Sequence, residues 1–399
     1  MTRTPRDAVI TGIGLVSCLG DGLAAHQAAL YGPGRFRPVV DQTRFAPYPV
    51  HPMAALPLDT QIPKRGDQRQ MEPWQRIGTY AAGLALEQAG VKGDAALLAR
   101  TDMIVAAGGG ERDYAADAAI LAALPDAADP GALLNQRLLA DLRPTLFLAQ
   151  LSNLLAGNIS IVHGVVGSSR TFMGEEASGA DALRIACARI AAGQGDLFLV
   201  GGSYNAERAD SLLLMEMGGG LLAGDFAGIW GRQGRGGGMV LGSVGAFLVL
   251  ESRAHAEARG AAMIARIAAI AADRGPRSPE RLAPRMDRLL APFRAALDPA
   301  DSAIVTAACG TAAPTQAEAA ALAPLGLPMR AAATAFGHSL EAAYPAALAL
   351  GALAVQQARL FAPLEDAAQE PQMESALARV LVSGFGQWRG EALALLERA

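Results

Sequence analysis

The stretch Asn153–Asn205, NLLAGNISIVHGVVGSSRTFMGEEASGADALRIACARIAAGQGDLFLVGGSYN, decides how the rest of the chain is read. Its apolar periodicity gives a helix end, a strand, a tight turn, a small-residue helix and a second strand. At the centre, Gly174-Glu175-Glu176-Ala177-Ser178-Gly179 stands where strand gives way to helix. A side chain at such an elbow faces open space beside the first N–H groups of a helix, where the dipole favours negative charge. That is a place for a nucleophile or an anion, and the residue that fills it is Glu176.

Outward from the elbow, Val9–Ser17 reads as a buried strand rich in β-branched residues. Its Gly12 and Gly14 form a lone G-x-G without the third glycine of a dinucleotide fingerprint. The charged run Ile62–Glu72 is either a solvated face or a docking surface for an acidic partner. It grades into an amphipathic helix, Trp74–Ala89, stopped by Gly90. Asp102–Ala107 is a core strand, and the Gly108-Gly109-Gly110 after it is a turn or a ligand cradle. An apolar helix is expected from Pro144 to Leu155. Gly218–Gly238 reads as long loops, Val240–Leu250 as a strand and His255–Arg259 as a charged helix. A second half then repeats the alternation, with strands at Ile264–Ala271 and Ala303–Ala308 and helices at Arg281–Ala296 and Ala342–Ala358. Pro345 is tolerable in the first turn of the last of these. The final strand is expected at Ala378–Ser383, ending in Gly384-Phe385-Gly386. Strands and helices alternating in both halves predict an α/β fold of two related layers.

Composition narrows the function. The chain of 399 residues is long enough for one large α/β unit or two fused domains. Its mean hydropathy of +0.23 is high, largely through alanine, yet runs such as Ala346–Val355 are too short to span a bilayer. No apolar secretory segment precedes the first strand, so a cytoplasmic protein without an integral membrane segment is expected. A net charge of −4 with dispersed arginines gives no support for nucleic-acid binding. Three scattered cysteines make neither a disulfide framework nor a metal site, and no cofactor is implied.

The motifs VITGIGLVSCLGDG (9–22), NLLAGNISIVHGVVGSS (153–169), GDLFLVGG (195–202), VLGSVGAFLVLES (240–252), AHAEARGA (254–261), CGTAAPTQAE (309–318), FGHSLEAAYPAALAL (336–350) and VSGFGQ (382–387) run nearly end to end. Together they resemble the β-ketoacyl-acyl carrier protein synthases, condensing enzymes of the thiolase fold. The resemblance implies a five-layered αβαβα architecture with ketosynthase-like halves at 1–252 and 253–399. It also implies an acyl carrier protein as partner and a homodimer, or a heterodimer with an active ketosynthase. The phrases IPKRGDQRQME and GSSRTFMGEE are similar to ketosynthase-like proteins associated with very-long-chain acyl groups of bacterial lipid A.

Members of this family hold a cysteine at the elbow, two histidines that help decarboxylate the malonyl unit, and a lysine that supports the second histidine. A gap-free match through Asn153, Gly157, Gly167, Gly179 and Gly193 puts Glu176 at the cysteine position. The first histidine position carries Cys309, in Cys309-Gly310-Thr311, and the lysine position carries Ala333. His338, in Gly337-His338-Ser339, alone is retained.

No substitute nucleophile is evident. Cys187 lies eleven residues beyond Glu176, roughly 16 Å along the helix at about 1.5 Å per residue, with the spacing of a core position. Cys309 is a small packing residue, or a thiolate if His338 serves it as a base. Ser178 lacks a G-x-S-x-G frame. Only two of the 34 lysines and arginines are lysines, Lys64 and Lys92, so none is available late in the chain.

Two readings follow. One is a non-condensing subunit resembling chain-length factors, in which Leu146, Phe147 and Leu148 of Arg143–Gln150, with Phe385, bound an acyl tunnel or form ordinary interface core. The other is an enzyme that decarboxylates malonyl-carrier protein or condenses through Glu176, Cys309 and His338. An ionised Glu176 would repel a developing enolate, whereas a protonated one would mimic an amide.

Overall fold

The computed structural model describes residues 3–142, 146–276 and 278–399. Ten strands carry the architecture: β1 (Ala8–Ser17), β2 (Asp102–Ala106), β3 (Ser169–Phe172), β4 (Leu197–Tyr204) and β5 (Val244–Ser252), then β6 (Ala265–Asp273), β7 (Ser302–Thr306), β8 (Met329–Ala331), β9 (Arg379–Phe385) and β10 (Glu391–Glu397). They lie in the order β8-β7-β9-β10-β6-β1-β5-β4-β2-β3, and a two-residue strand at Gly20–Asp21 completes an eleven-stranded sheet. In the first half β2 is parallel to β3 and β4, while β4–β5 and β5–β1 are antiparallel. The second half repeats this: β7 is parallel to β8 and β9, while β9–β10 and β10–β6 are antiparallel. Among the named strands described, the halves pair directly at Ala8–Ile10 against Ala265–Ile267, and isolated bridges join Gly237 to Thr311 and Leu241 to His338.

Seven helices cover these strands: α1 (Pro73–Gln88), α2 (Leu154–His163), α3 (Glu175–Ala191), α4 (Ala209–Met217), α5 (Pro279–Arg294), α6 (Ala312–Leu322) and α7 (Ala343–Gln356). Strand side chains alternate between two cores. From β5, Val244, Ala246, Leu248 and Leu250 join the inner core with α3 and α7, whereas Phe247 and Val249 join the outer core under α1 and α2. From β10, Ala392, Ala394 and Leu396 face inward, and Leu393 and Leu395 face α5. The layers are therefore αβαβα, with α3 and α7 packed against each other and against both halves. A strand buried on both faces has no polar side to show, which explains the unbroken apolar runs.

Two local features follow from this packing. A Cβ on Gly14 would lie 1.8 Å from the Ala81 carbonyl oxygen, so the G-x-G of β1 lets α1 approach the strand. The alanine-rich α7 is buried from Ala343 to Val355, and its small residues let two sheet halves close around it.

Two expectations need correction. The single helix from Pro144 to Leu155 is instead a short helix, Leu146–Ala149, followed by a break and then α2. The Ser152 hydroxyl in the break donates to the Gly108 carbonyl at 2.6 Å, a tertiary bond that periodicity does not reveal. Arg143, Pro144 and Thr145 lie outside the described residues. The chain also does not end its sheet at Ser383, because β9 continues to Phe385 and a tight turn leads into β10. That turn needs a positive φ at Gly390, 89°, and closes through Gly386 N–H to the Gly390 carbonyl at 2.9 Å.

Among the described residues, no helix is long and apolar enough to cross a membrane.

Candidate functional site

The elbow turns sharply. Gly174 has φ 130° and Glu175 has φ 52°, a left-handed value uncommon for a residue with a side chain. The turn carries Glu176 into the first turn of α3 and leaves it 8% exposed. Ser178 Oγ donates to the Glu175 carbonyl at 2.7 Å, which stabilises the bend and occupies that hydroxyl.

Two groups close on the Glu176 carboxylate. His338 Nε2 lies 3.0 Å from Oε1, and the Gln387 backbone N–H donates to the same oxygen at 3.0 Å. Gly386 must lack a side chain here, since its Cβ would sit 2.4 Å from the Arg389 carbonyl oxygen and 3.0 Å from Glu176 Oε2. His338 is fully buried and is held by its backbone: its N–H donates to Val240 and its carbonyl accepts from Gly242. Its Nδ1 meets no hydrogen-bond partner among the described residues.

Burial by itself pushes the Glu176 pKa up, but the hydrogen bond and charge of His338, with the Gln387 N–H, outweigh it. The net shift is downward, so the group is a carboxylate at neutral pH.

Cys309 is fully buried in the loop that follows β7. Its Sγ lies 3.0 Å from Thr311 Oγ1 and 3.8 Å from Gln387 Oε1, and Thr311 also hydrogen-bonds Gln387. Burial, then the negative charge of Glu176, pushes the thiol up to about 11. No hydrogen bond joins Cys309 to His338 among the described residues, so the geometry supplies no base for a thiolate. Gln387 links the two clusters: its backbone binds Glu176 and its side chain binds Thr311. Sequence reasoning passed over it, and its only signal was a place at the end of VSGFGQ.

The remaining candidates are scattered. Ala333 is buried in a short helix, Ala332–Phe336, and packs in the outer core of the second half. Phe385 is 1% exposed and walls a cavity of about 20 Å³ beside Glu176 and Tyr344. One water needs roughly 10–15 Å³ by the same measure, so this space admits no acyl chain. Leu146 is buried and Leu148 is 49% exposed, and neither lines that cavity. The Phe147 side chain lies outside the described residues. Cys187 packs partly buried against the inner core, with its thiol pushed up to about 12 by desolvation. No cluster that could hold a metal ion occurs among the described residues.

A larger cavity of about 460 Å³ opens behind the elbow, where the Gly108–Gly110 loop, Glu175 and Glu341 form part of its wall.

Residues 6–256 match the family model described as the N-terminal domain of β-ketoacyl synthase. Among solved structures, the ishigamide ketosynthase/chain length factor superposes with a TM-score of 0.78 at 20% identity, covering 99% of both chains. A β-ketoacyl synthase from Burkholderia phymatum STM815 gives 0.75 at 20% identity, covering 98% of this chain and 99% of that one. A type II polyketide synthase acyl-carrier protein in complex with its ketosynthase, bound to the hexaketide, gives 0.72 at 14% identity with coverage of 98% and 99%. These likenesses show the fold. No curated protein sequence matches the chain.

Proposed function

Because the chain belongs to the β-ketoacyl synthase family, we propose that it is a non-condensing, chain-length-factor-like subunit that pairs with an active ketosynthase. The observation that carries this reading is the Glu176 carboxylate held between His338 Nε2 and the Gln387 N–H. A condensing site must hold an acyl group as a stable thioester. Acylation of a carboxylate would give an anhydride open to hydrolysis, and this one is already engaged. The cavity that Glu176 itself lines is small, about 20 Å³.

The same observation disfavours the decarboxylase reading. Loss of CO₂ from a malonyl thioester develops negative charge that a site must stabilise with donors. An ionised Glu176 opposes that charge, and the retained His338 spends its Nε2 on Glu176.

In this reading the partner ketosynthase supplies the nucleophile and an acyl carrier protein delivers the substrate. On the same reading Leu148, 49% exposed, belongs to a segment that the partner would cover. Expressed alone, the chain should release no CO₂ from malonyl-carrier protein and transfer no acyl group. Mixed with an intact ketosynthase of the same pathway, it should form a heterodimer and restore elongation. Sustained condensation by the isolated protein, followed by mass spectrometry of the carrier-bound product, would overturn the reading.

A further inference from the structure

A second large cavity lies in the other half of the molecule, in the groove between α5 and α6. Its volume of about 580 Å³ exceeds that of the cavity behind the elbow and falls within the roughly 300–1,000 Å³ of small-molecule sites.

The topology makes this cavity a slot. β6, β7 and β8 all run in one direction, so α5 and α6, which link them in turn, both run back and lie side by side. The wall begins at Leu282 and Ala313, near the start of each helix, and reaches Arg294 and Pro324 at their far ends. From Leu282 to Arg294 is roughly 18 Å at about 1.5 Å per residue. Helices packed about 8–10 Å apart leave a narrow groove, so the space is long rather than wide.

The lining is apolar except at Asp287, Arg294 and Gln387. Buried Leu282 and Met286 contribute from α5, and Ala317, Ala320 and Ala321 from α6. A surface helix ordinarily turns charged side chains toward water. α6 does not: its one charged residue, Glu318, is buried, and its exposed positions are Ala313, Gln316 and Ala320.

Of the three polar residues, Gln387 is committed, its N–H to Glu176 and its side-chain oxygen to Thr311. Arg294 Nη2 meets Asp287 Oδ1 at 3.0 Å, with the two side chains 42% and 78% exposed. A surface pair of this kind is weak, and it is the one bond of the Arg294 guanidinium among the described residues. The guanidinium keeps further N–H donors, in a planar fork that matches a carboxylate. The exposed face of α5 carries Arg281, Arg288 and Arg294 against Glu280 and Asp287, which leaves the rim of the slot positive.

We propose that the slot between α5 and α6 binds an unbranched aliphatic carboxylate, with the chain along Leu282, Met286, Ala317 and Ala321 and the carboxylate on Arg294. The long apolar groove suits a single hydrocarbon chain, and the positive rim selects its head. An ammonium head would be repelled by Arg294, and a neutral head would gain nothing from its charge. The slot is separate from the Glu176–His338 pair, so the proposal goes beyond the subunit reading and does not depend on it.

Isothermal titration of the full chain with octanoate, decanoate, decanol and decylammonium, each below its micellar concentration, tests the assignment. Decanoate should bind saturably, at least fivefold more tightly than decanol, with decylammonium the weakest of the three. Octanoate should bind roughly tenfold more weakly than decanoate, as the loss of two buried methylenes requires. Ala320→Phe, at an exposed helical position, should lose at least tenfold in decanoate affinity with circular dichroism unchanged. Arg294→Gln should bring decanoate down to the level of decanol, whereas Asp287→Asn, which releases the guanidinium, should tighten decanoate severalfold. No saturable binding, decylammonium binding as tightly as decanoate, or a preference for the carboxylate that survives in R294Q would each overturn the proposal. So would decanoate binding that A320F leaves intact, because it would belong to another cavity. The comparison of head groups on the unaltered protein decides even if a variant fails to fold.

Discussion

A carboxylate in the first turn of a helix gains from the dipole, about 0.3–1 kcal/mol at an exposed site. Glu176 sits in such a turn, but burial removes it from water and makes its partners matter more. Removing the side chain should cost more than the dipole term, because it leaves His338 Nε2 and the Gln387 N–H buried without an acceptor. Glu176→Ala should therefore lower stability by about 1–3 kcal/mol, read as a fall in the urea midpoint at an unchanged slope. Glu176→Gln keeps an acceptor oxygen and isolates the charge. Because the folded pKa lies below the ordinary value of 4.5, the charged group stabilises the protein above that value. The contribution is lost as pH falls through the lower, folded pKa. The difference in unfolding free energy between wild type and E176Q should accordingly be largest at neutral pH and shrink below about pH 4.5; a difference that grows on acidification would refute the assignment. At this scale the resemblance put Glu176 and His338 in one site, but that His338, 162 positions away, would close on the carboxylate at 3.0 Å was decided by the fold.

Elements were legible where a repeating pattern recorded their burial. The strands β1, β2, β4 and β7 and the helices α1, α5 and α7 show it, because strand and helix periods leave different apolar spacings. The break before α2 and the strand β10 did not announce themselves. The first depends on Ser152 reaching Gly108, and the second on a hairpin whose partner strand lies beside it only after folding. The sheet has two edges, β8 and β3, and the second carries exposed apolar side chains beside it. Among the described residues the edge strand β3 pairs with β2 alone, and Ile161, Val166 and Met173 near it are 70%, 64% and 61% exposed. Open edges and clustered apolar side chains invite association. If this face carries the partner contact, Ile161→Asp and Met173→Asp should shift the complex to monomers in light scattering after size exclusion, with the far-ultraviolet circular dichroism unchanged. Retention of the full complex in both variants would place the contact elsewhere.

Across the whole molecule, the repeated strand order makes two similar halves that share one inner core. Their direct strand contact is short, so charged ties beside it gain importance. Arg266 on β6 is 3% exposed and bonds Asp7, just before β1, at 2.8 Å and Glu397, at the end of β10. Taking away one partner from a buried ionic group strands the others, at about 3–5 kcal/mol. Arg266→Ala should lower the unfolding free energy by about 3 kcal/mol, and the shared core predicts that tryptophan fluorescence and circular dichroism still report one coincident urea transition. Two separated transitions would show that the halves unfold independently. By itself the sequence determined the family fold, through apolar periods and glycine positions that act locally and recur along the chain. It also determined which chemical group occupies the elbow. Only the tertiary structure decided that Glu176 is ionised and engaged by His338 and the Gln387 N–H. These depend on side chains brought together from distant strands and helices, and the electrostatics of a buried group are set by those neighbours rather than by its place in the chain.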